Sequence, residues 1–125
     1  MRARAGDLLE AAGFRLEVIS PEPGAPGDQV GAAYLGLRVV GSSGRSFCDL
    51  SDLDLDAQTI AASRLAGSCS YLLLPAGGRS RLSPDLERLA SSAQLIASLS
   101  SGRLARDFPK TVLRTDQEGT ITLPM

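Results

Sequence analysis

Cys69-Ser70-Tyr71-Leu72-Leu73-Leu74-Pro75 is the stretch on which the fold turns. It carries no charge, and its apolar residues are continuous rather than alternating. That is the pattern of a central strand covered on both faces.

The sequence on either side of it reads as helix. Downstream, Ala76–Ser83 is a loop of glycine, arginine and serine. Ser83-Pro84-Asp85 then has the grammar of a helix start, with a hydroxyl cap, proline at the first helical position and acids in the first turn. Leu86, Leu89, Ala90, Ala93, Ile96 and Ala97 recur at helical spacing, which predicts a helix running to about Ser100. Upstream, Ala57–Ala66 reads as a helix, with Asp56 as its N-cap and Gly67 as its stop.

Further upstream, Ala32–Val40 reads as a strand with Ala33, Leu35, Leu37 and Val39 on one face. Gly41-Ser42-Ser43-Gly44 is a turn, and Arg45–Leu50 returns as the second arm of a hairpin. Arg15–Ser20 alternates as a half-buried strand, followed by a proline-rich loop over Pro21–Gly27. Gly6–Ala12 reads as a short first helix, with Leu8, Leu9 and Ala12 on one face and Gly13 at its end. At the other terminus, Thr111–Thr115 and Thr120–Pro124 flank a turn at Asp116–Gly119, as in a terminal hairpin. The predicted fold class is α/β (or α+β), a single mixed sheet in the order α-β-β-β-α-β-α-β-β, spanning residues 1–125 as one domain.

Composition sets the chemistry. The chain has 125 residues, 43% apolar and 22% charged, enough for a core without staples. Aromatics are only 4%, so Leu, Val, Ile and Ala fill that core. A net charge of -1 supplies no overall field for nucleic acid or an anionic membrane. No stretch approaches a membrane span, and Asp7 and Glu10 interrupt any secretory or transit leader. Cys48 and Cys69 do not form a secreted cysteine framework, so they read as reduced, core-packing thiols and the chain as cytoplasmic.

Histidine is absent, which removes Ser-His-Asp and Cys-His catalysis and the commonest metal ligand. Lys110 is the only lysine, and no phosphate loop, dinucleotide fingerprint, nucleophile elbow or CxxC is present. The expectation is a chain that is not an enzyme and needs no cofactor.

Three clusters bear on binding. Asp49-Leu50-Ser51-Asp52-Leu53-Asp54-Leu55-Asp56 would, as a strand, put Asp52, Asp54 and Asp56 on one side, a candidate oxygen-ligand set for a hard cation. The competing reading is a solvated acidic edge whose last member caps a helix. Gly77, Gly78, Arg79 and Arg81 lie between the central strand and a helix start, a candidate anion site. The competing reading there is a turn with solvated arginines, since Asp85 and Glu87 would repel a phosphate. Finally, Arg79–Arg114 holds seven cationic residues against three acids, a locally basic face with Phe108 as its one aromatic, for which the competing reading is a solvated helix face.

The element order over the first three-quarters of the chain resembles the PD-(D/E)XK nuclease-like core. Thr59–Leu99 carries the likeness, with Ala61-Ala62-Ser63-Arg64-Leu65 leading into Tyr71-Leu72-Leu73-Leu74-Pro75 and then Pro84-Asp85-Leu86. That family needs an acid on its second core strand and (D/E)-x-K on its third. Here the third strand offers only Phe47-Cys48-Asp49-Leu50-Ser51, with no lysine after the acid. The resemblance therefore implies a degenerate member that binds or scaffolds, and no catalytic residue is carried over.

These readings favour a non-catalytic protein-interaction or assembly module, with a protein partner or a homo-oligomer and no membrane. The alternatives are a catalytically inactive nuclease-like domain contacting nucleic acid and a small phosphate-ligand-binding domain.

Overall fold

Alternating side chains and tight turns build one mixed sheet of seven strands, seen in a computed structural model that describes residues 3–21, 35–65, 69–79, 81–99, 104 and 111–125. The strands are β1 (Leu8–Ala11), β2 (Phe14–Ser20), β3 (Gly36–Val40), β4 (Ser46–Asp49), β5 (Tyr71–Leu73), β6 (Gln94–Ala97) and β7 (Val112–Arg114). Their order in the sheet is their order in the chain. β1 to β4 form an antiparallel meander, whereas β4 to β7 run parallel. The parallel half needs crossovers. Helix α1 (Leu55–Leu65) carries the chain from β4 to β5, and α2 (Pro84–Ala90) from β5 to β6. A one-turn helix, α3 (Thr115–Glu118), follows β7. The class is α+β.

The core lies between the sheet and the two longer helices. Cys48, Leu72 and Leu95 stand side by side in register on β4, β5 and β6. They pack with Ala61 and Leu65 of α1 and with Leu86, Leu89 and Ala90 of α2. On the central strand Leu72 and the following Leu74 are buried, while Tyr71 and Leu73 are half-buried on the opposite face. β5 is thus the central strand expected, with its fuller cover on the helix side.

Gln58, on α1, is buried with both ends satisfied. Its Nε2 donates to the Leu53 carbonyl at 3.1 Å, and its Oε1 accepts from the Ser83 N–H at 2.9 Å. It ties α1 to the cap of α2, where the Ser83 hydroxyl accepts from Leu86 N–H at 3.1 Å and Pro84 takes the first helical position.

Four expectations are corrected. Residues 8–11 form a strand, not part of a first helix. So short a helix is marginal alone, whereas the strand gains a full ladder against β2 through Leu8↔Glu17, Leu9↔Leu16, Glu10↔Arg15 and Ala11↔Phe14. Gly13 does have positive φ, but in a hairpin turn. The helix starting at Pro84 stops at Ala90. The Ser91 and Ser92 hydroxyls donate back to Arg88 and Leu89 carbonyls, and Gln94–Ala97 becomes β6. No terminal hairpin forms among the described residues. β7 pairs parallel with β6, and Thr120–Met125 instead returns past Tyr71, whose hydroxyl donates to Pro124 O at 2.8 Å. Its end reaches the β3–β4 turn, where Ser43 N–H donates to Met125 O at 3.2 Å. Gly41 makes room there, since a Cβ on it would lie 2.3 Å from Met125 O.

The fourth correction concerns the thiols. Cys48 and Cys69 are bonded to each other, a disulfide stapling β4 to the segment that enters β5, and both are buried. Two cysteines with no framework spacing gave no hint of it. The parallel pairing of β4 with β5 is what brings them together.

Candidate functional site

The β1–β2 hairpin is the most distinctive surface among the described residues. Its turn is Ala12-Gly13, and both residues have positive φ, 52° and 83°. A two-residue hairpin turn of this hand matches the twist of its strands. Gly13 takes it without strain, whereas Ala12 is a residue type that rarely does.

Because paired residues share a face, the hairpin has two different sides. Leu8, Glu10, Arg15 and Glu17 share one. There Glu17 accepts from Arg38 Nε at 2.7 Å and pairs with Arg15 at 3.1 Å, a small charged cluster. Leu9, Ala11, Phe14 and Leu16 share the other, continuous through Leu16↔Val39 with β3. Leu9 is 63% exposed, Leu8 53% and Phe14 44%. A shallow, open depression of about 530 Å³ runs beside the turn, bounded by Glu10–Arg15 and by Val40 and Gly41.

β1 also lies at the sheet edge, with no neighbour on its outer side among the described residues. Most edge strands are protected by lysine, proline or a covering loop. β1 has Glu10 as its sole charge.

The residues singled out from the sequence are placed differently. Asp52, Asp54 and Asp56 do not share a strand face, because the segment is a turn running into α1. Asp54, rather than Asp56, caps α1, accepting from Ala57 N–H at 2.9 Å. Asp52 and Asp56 are exposed, and Asp49 accepts from the N–H and hydroxyl of Ser51 at 3.1 and 2.7 Å. Among the described residues no cluster of three or more His, Cys, Asp or Glu is arranged for a metal ion.

Gly77 and Gly78 sit in a tight turn, Pro75–Gly78, directly after β5, both with positive φ and both buried. A Cβ on Gly77 would lie 2.6 Å from Ser98 O, and one on Gly78 2.7 Å from Leu104. These glycines let the turn lie close against Ser98 and Leu104. Arg79 and Arg81 are exposed, with Arg79 Nε donating back to Ala76 O at 3.2 Å. The basic segment is only partly described. Arg88 pairs with Asp85 on α2, and Arg103, Arg106 and Lys110 lie outside the described residues.

Arg114 grips Asp116 with two parallel bonds, Nε to Oδ1 at 2.9 Å and a terminal nitrogen to Oδ2 at 2.7 Å. The hydrogen bond holds the Asp116 carboxyl below the usual carboxylate range and raises the Arg114 guanidinium. Thr115 between them locks β7 to the end of β6, its hydroxyl accepting from Leu99 N–H and donating to Leu99 O, both at 2.9 Å.

No family model, no curated protein and no solved structure matches this chain.

Sequence reasoning missed the hairpin. The signal is the Ala12-Gly13 doublet between two short apolar-polar runs, which spells a two-residue hairpin turn once the helical reading of Leu8, Leu9 and Ala12 is set aside.

Proposed function

We propose that this chain is a non-catalytic protein-interaction or assembly module whose contact element is the β1–β2 hairpin. One observation carries the reading: Leu9 and Phe14 stand exposed on one side of a hairpin that lies at the sheet edge among the described residues, with Leu8 exposed on its other side. Contiguous exposed apolar surface marks contact sites, and an open edge can accept another strand. The chain's partner is a protein, either another copy or a different chain. No helix among the described residues is long and apolar enough to cross a membrane. The buried Cys48–Cys69 bond favours an oxidising compartment over the cytoplasm expected from the sequence.

The test compares the intact chain with a Leu8→Ser, Leu9→Ser, Phe14→Ser variant by sedimentation and by affinity capture. The expected result is an association, with itself or with another protein, that the variant loses. An intact chain that is monomeric and captures nothing the variant fails to capture overturns the reading.

A second reading, an inactive nuclease-like domain touching nucleic acid, draws support from the succession β2-β3-β4-α1-β5-α2, which matches the resemblance apart from its leading helix. Phosphate contacts are strongest at low salt. A titration with single- and double-stranded nucleic acid at low salt that shows no binding removes it.

A further inference from the structure

The side of the sheet away from α1 and α2 carries an uncharged row. Leu9, Leu16, Val39, Phe47 and Tyr71 are successive register partners from β1 to β5. Alternation sets them opposite Cys48 and Leu72, which pack with the helices. Leu9 is 63% exposed, whereas Leu16, Val39, Phe47 and Tyr71 are half-buried. At the Tyr71 end lies Thr120–Met125. Its Ile121, Leu123 and Met125 are half-buried, and its Thr120, Thr122 and Pro124 are exposed. That is the alternation of an extended segment with one side against a surface. Two anchors hold it there: the Tyr71 hydroxyl donates to Pro124 O at 2.8 Å, and the Ser43 N–H and hydroxyl donate to Met125 O beside Gly41. The segment belongs to no strand of the sheet, and these bonds come from a side chain and a turn rather than from a ladder. Gly119 precedes it with φ 70° and ψ −129°, a conformation glycine adopts readily and other residues rarely, and its α-carbon faces open space. Half-buried side chains, no ladder and a glycine pivot make a segment that opens at low cost.

We propose that Thr120–Met125 is a displaceable strap, an intramolecular ligand seated in a peptide groove. The partner that takes its place is an extended protein segment with apolar side chains at alternate positions. This rests on reading the apolar side of the hairpin as a contact surface, and it names the class of partner. The strap itself supplies the pattern the groove accepts: side chains two residues apart turned inward, and carbonyls that take the Tyr71 and Ser43 donors. The row makes bare and covered ends one surface. A segment resting on Leu9 and Phe14 continues over Leu16 and Val39 to the seat of the strap. A tethered ligand competes at an effective concentration on the order of millimolar. The closed chain therefore binds a partner segment only through its open fraction, and weakening the strap strengthens binding in trans.

The probe is a fluorescent peptide, Thr-Ile-Thr-Leu-Pro-Met with both ends blocked, titrated by anisotropy into the intact chain and into opened chains of unchanged length. The opened chains are Ile121→Ser with Leu123→Ser and, as a milder change, Leu123→Ala alone, each checked for folding by circular dichroism. The double variant is expected to bind the peptide at least about tenfold more tightly than the intact chain, because its groove is no longer withheld. Leu123→Ala is expected to gain in the same direction by less, and it decides the matter should the double variant misfold. Adding Tyr71→Phe to an opened chain is expected to weaken the peptide about fivefold, the weight of one hydrogen bond. A control peptide, Thr-Ser-Thr-Ser-Pro-Met, is expected not to bind. Equal affinity of intact and opened chains, no binding by any opened chain, or equal binding of the control overturns the proposal. Opened chains that ignore the peptide, while Leu8→Ser, Leu9→Ser, Phe14→Ser still abolishes association of the intact chain, remove the strap and leave the interaction reading standing. Peptide binding by the opened chains, with association unchanged in that hairpin variant, leaves the groove standing and removes the hairpin as contact element.

Discussion

Gln58 shows how much one buried polar side chain can organise. Its amide reaches back to the Leu53 carbonyl and across to the Ser83 N–H. Replacing it by Leu would keep the volume and leave both backbone groups buried without a partner. A buried group deprived of its bond costs about 1–3 kcal/mol, so Gln58→Leu is expected to lower the urea midpoint by a corresponding amount, with the slope unchanged. The Arg114–Asp116 fork makes a prediction of a different kind. Asp116 ionises more readily in the folded chain than in the unfolded one. Its contribution is therefore complete above the ordinary carboxylate range and is lost as pH falls through its own, lower value. Stability measured against pH should fall less steeply at the acid end in Asp116→Asn than in the intact chain. At neutral pH the variant should already lack the contribution.

At the scale of elements, the β1–β2 hairpin carries a correctable strain. Ala12 occupies a left-handed position that asparagine or glycine adopts far more readily. Ala12→Asn is expected to raise stability by up to about 1 kcal/mol, read from denaturant midpoints. A drop in stability would mean that the turn differs from the one described. The helix-or-strand question at both ends of the chain belongs to this scale too. Leu8, Leu9 and Ala12 fit a helical face, and so do Ala93, Ile96 and Ala97, yet both segments are extended. Short apolar runs satisfy either period, and pairing with a neighbouring strand is what decides between them. Where local signals are chemical rather than periodic, they were legible. Ser83-Pro84-Asp85 starts a helix as expected, and Gly41–Gly44 lies in the turn between β3 and β4.

For the whole molecule, the Cys48–Cys69 bond is the long-range constraint. It closes a loop containing α1, with the two cysteines 21 positions apart. A cross-link over a loop of this length stabilises by about 3 kcal/mol in the chain-entropy account. Reducing the bond, or replacing both residues in Cys48→Ala, Cys69→Ala, is expected to lower unfolding stability by that order in a denaturant titration. An unchanged midpoint on reduction would show that the bond does not constrain the unfolded chain. The same global view explains the fate of the candidate site residues. Asp52, Asp54 and Asp56 looked like a one-sided row only while a strand was assumed. Gly77 and Gly78 are glycines because the turn after β5 lies close against Ser98 and Leu104.

What the sequence determined by itself was local and compositional. It set a strand within Cys69–Pro75, the two helices flanking it in the chain, the hairpin of β3 and β4, the mixed sheet, and the want of histidine-based chemistry. These follow from periodicity, capping and residue inventory, which act over a few residues. Only the tertiary structure decided the identity of the first and sixth strands, the pairing of Cys48 with Cys69 and the exposure of Leu8, Leu9 and Phe14. Each depends on which distant segment lies alongside, because a ladder bond, a disulfide or a covered apolar face needs a partner that the local sequence does not name.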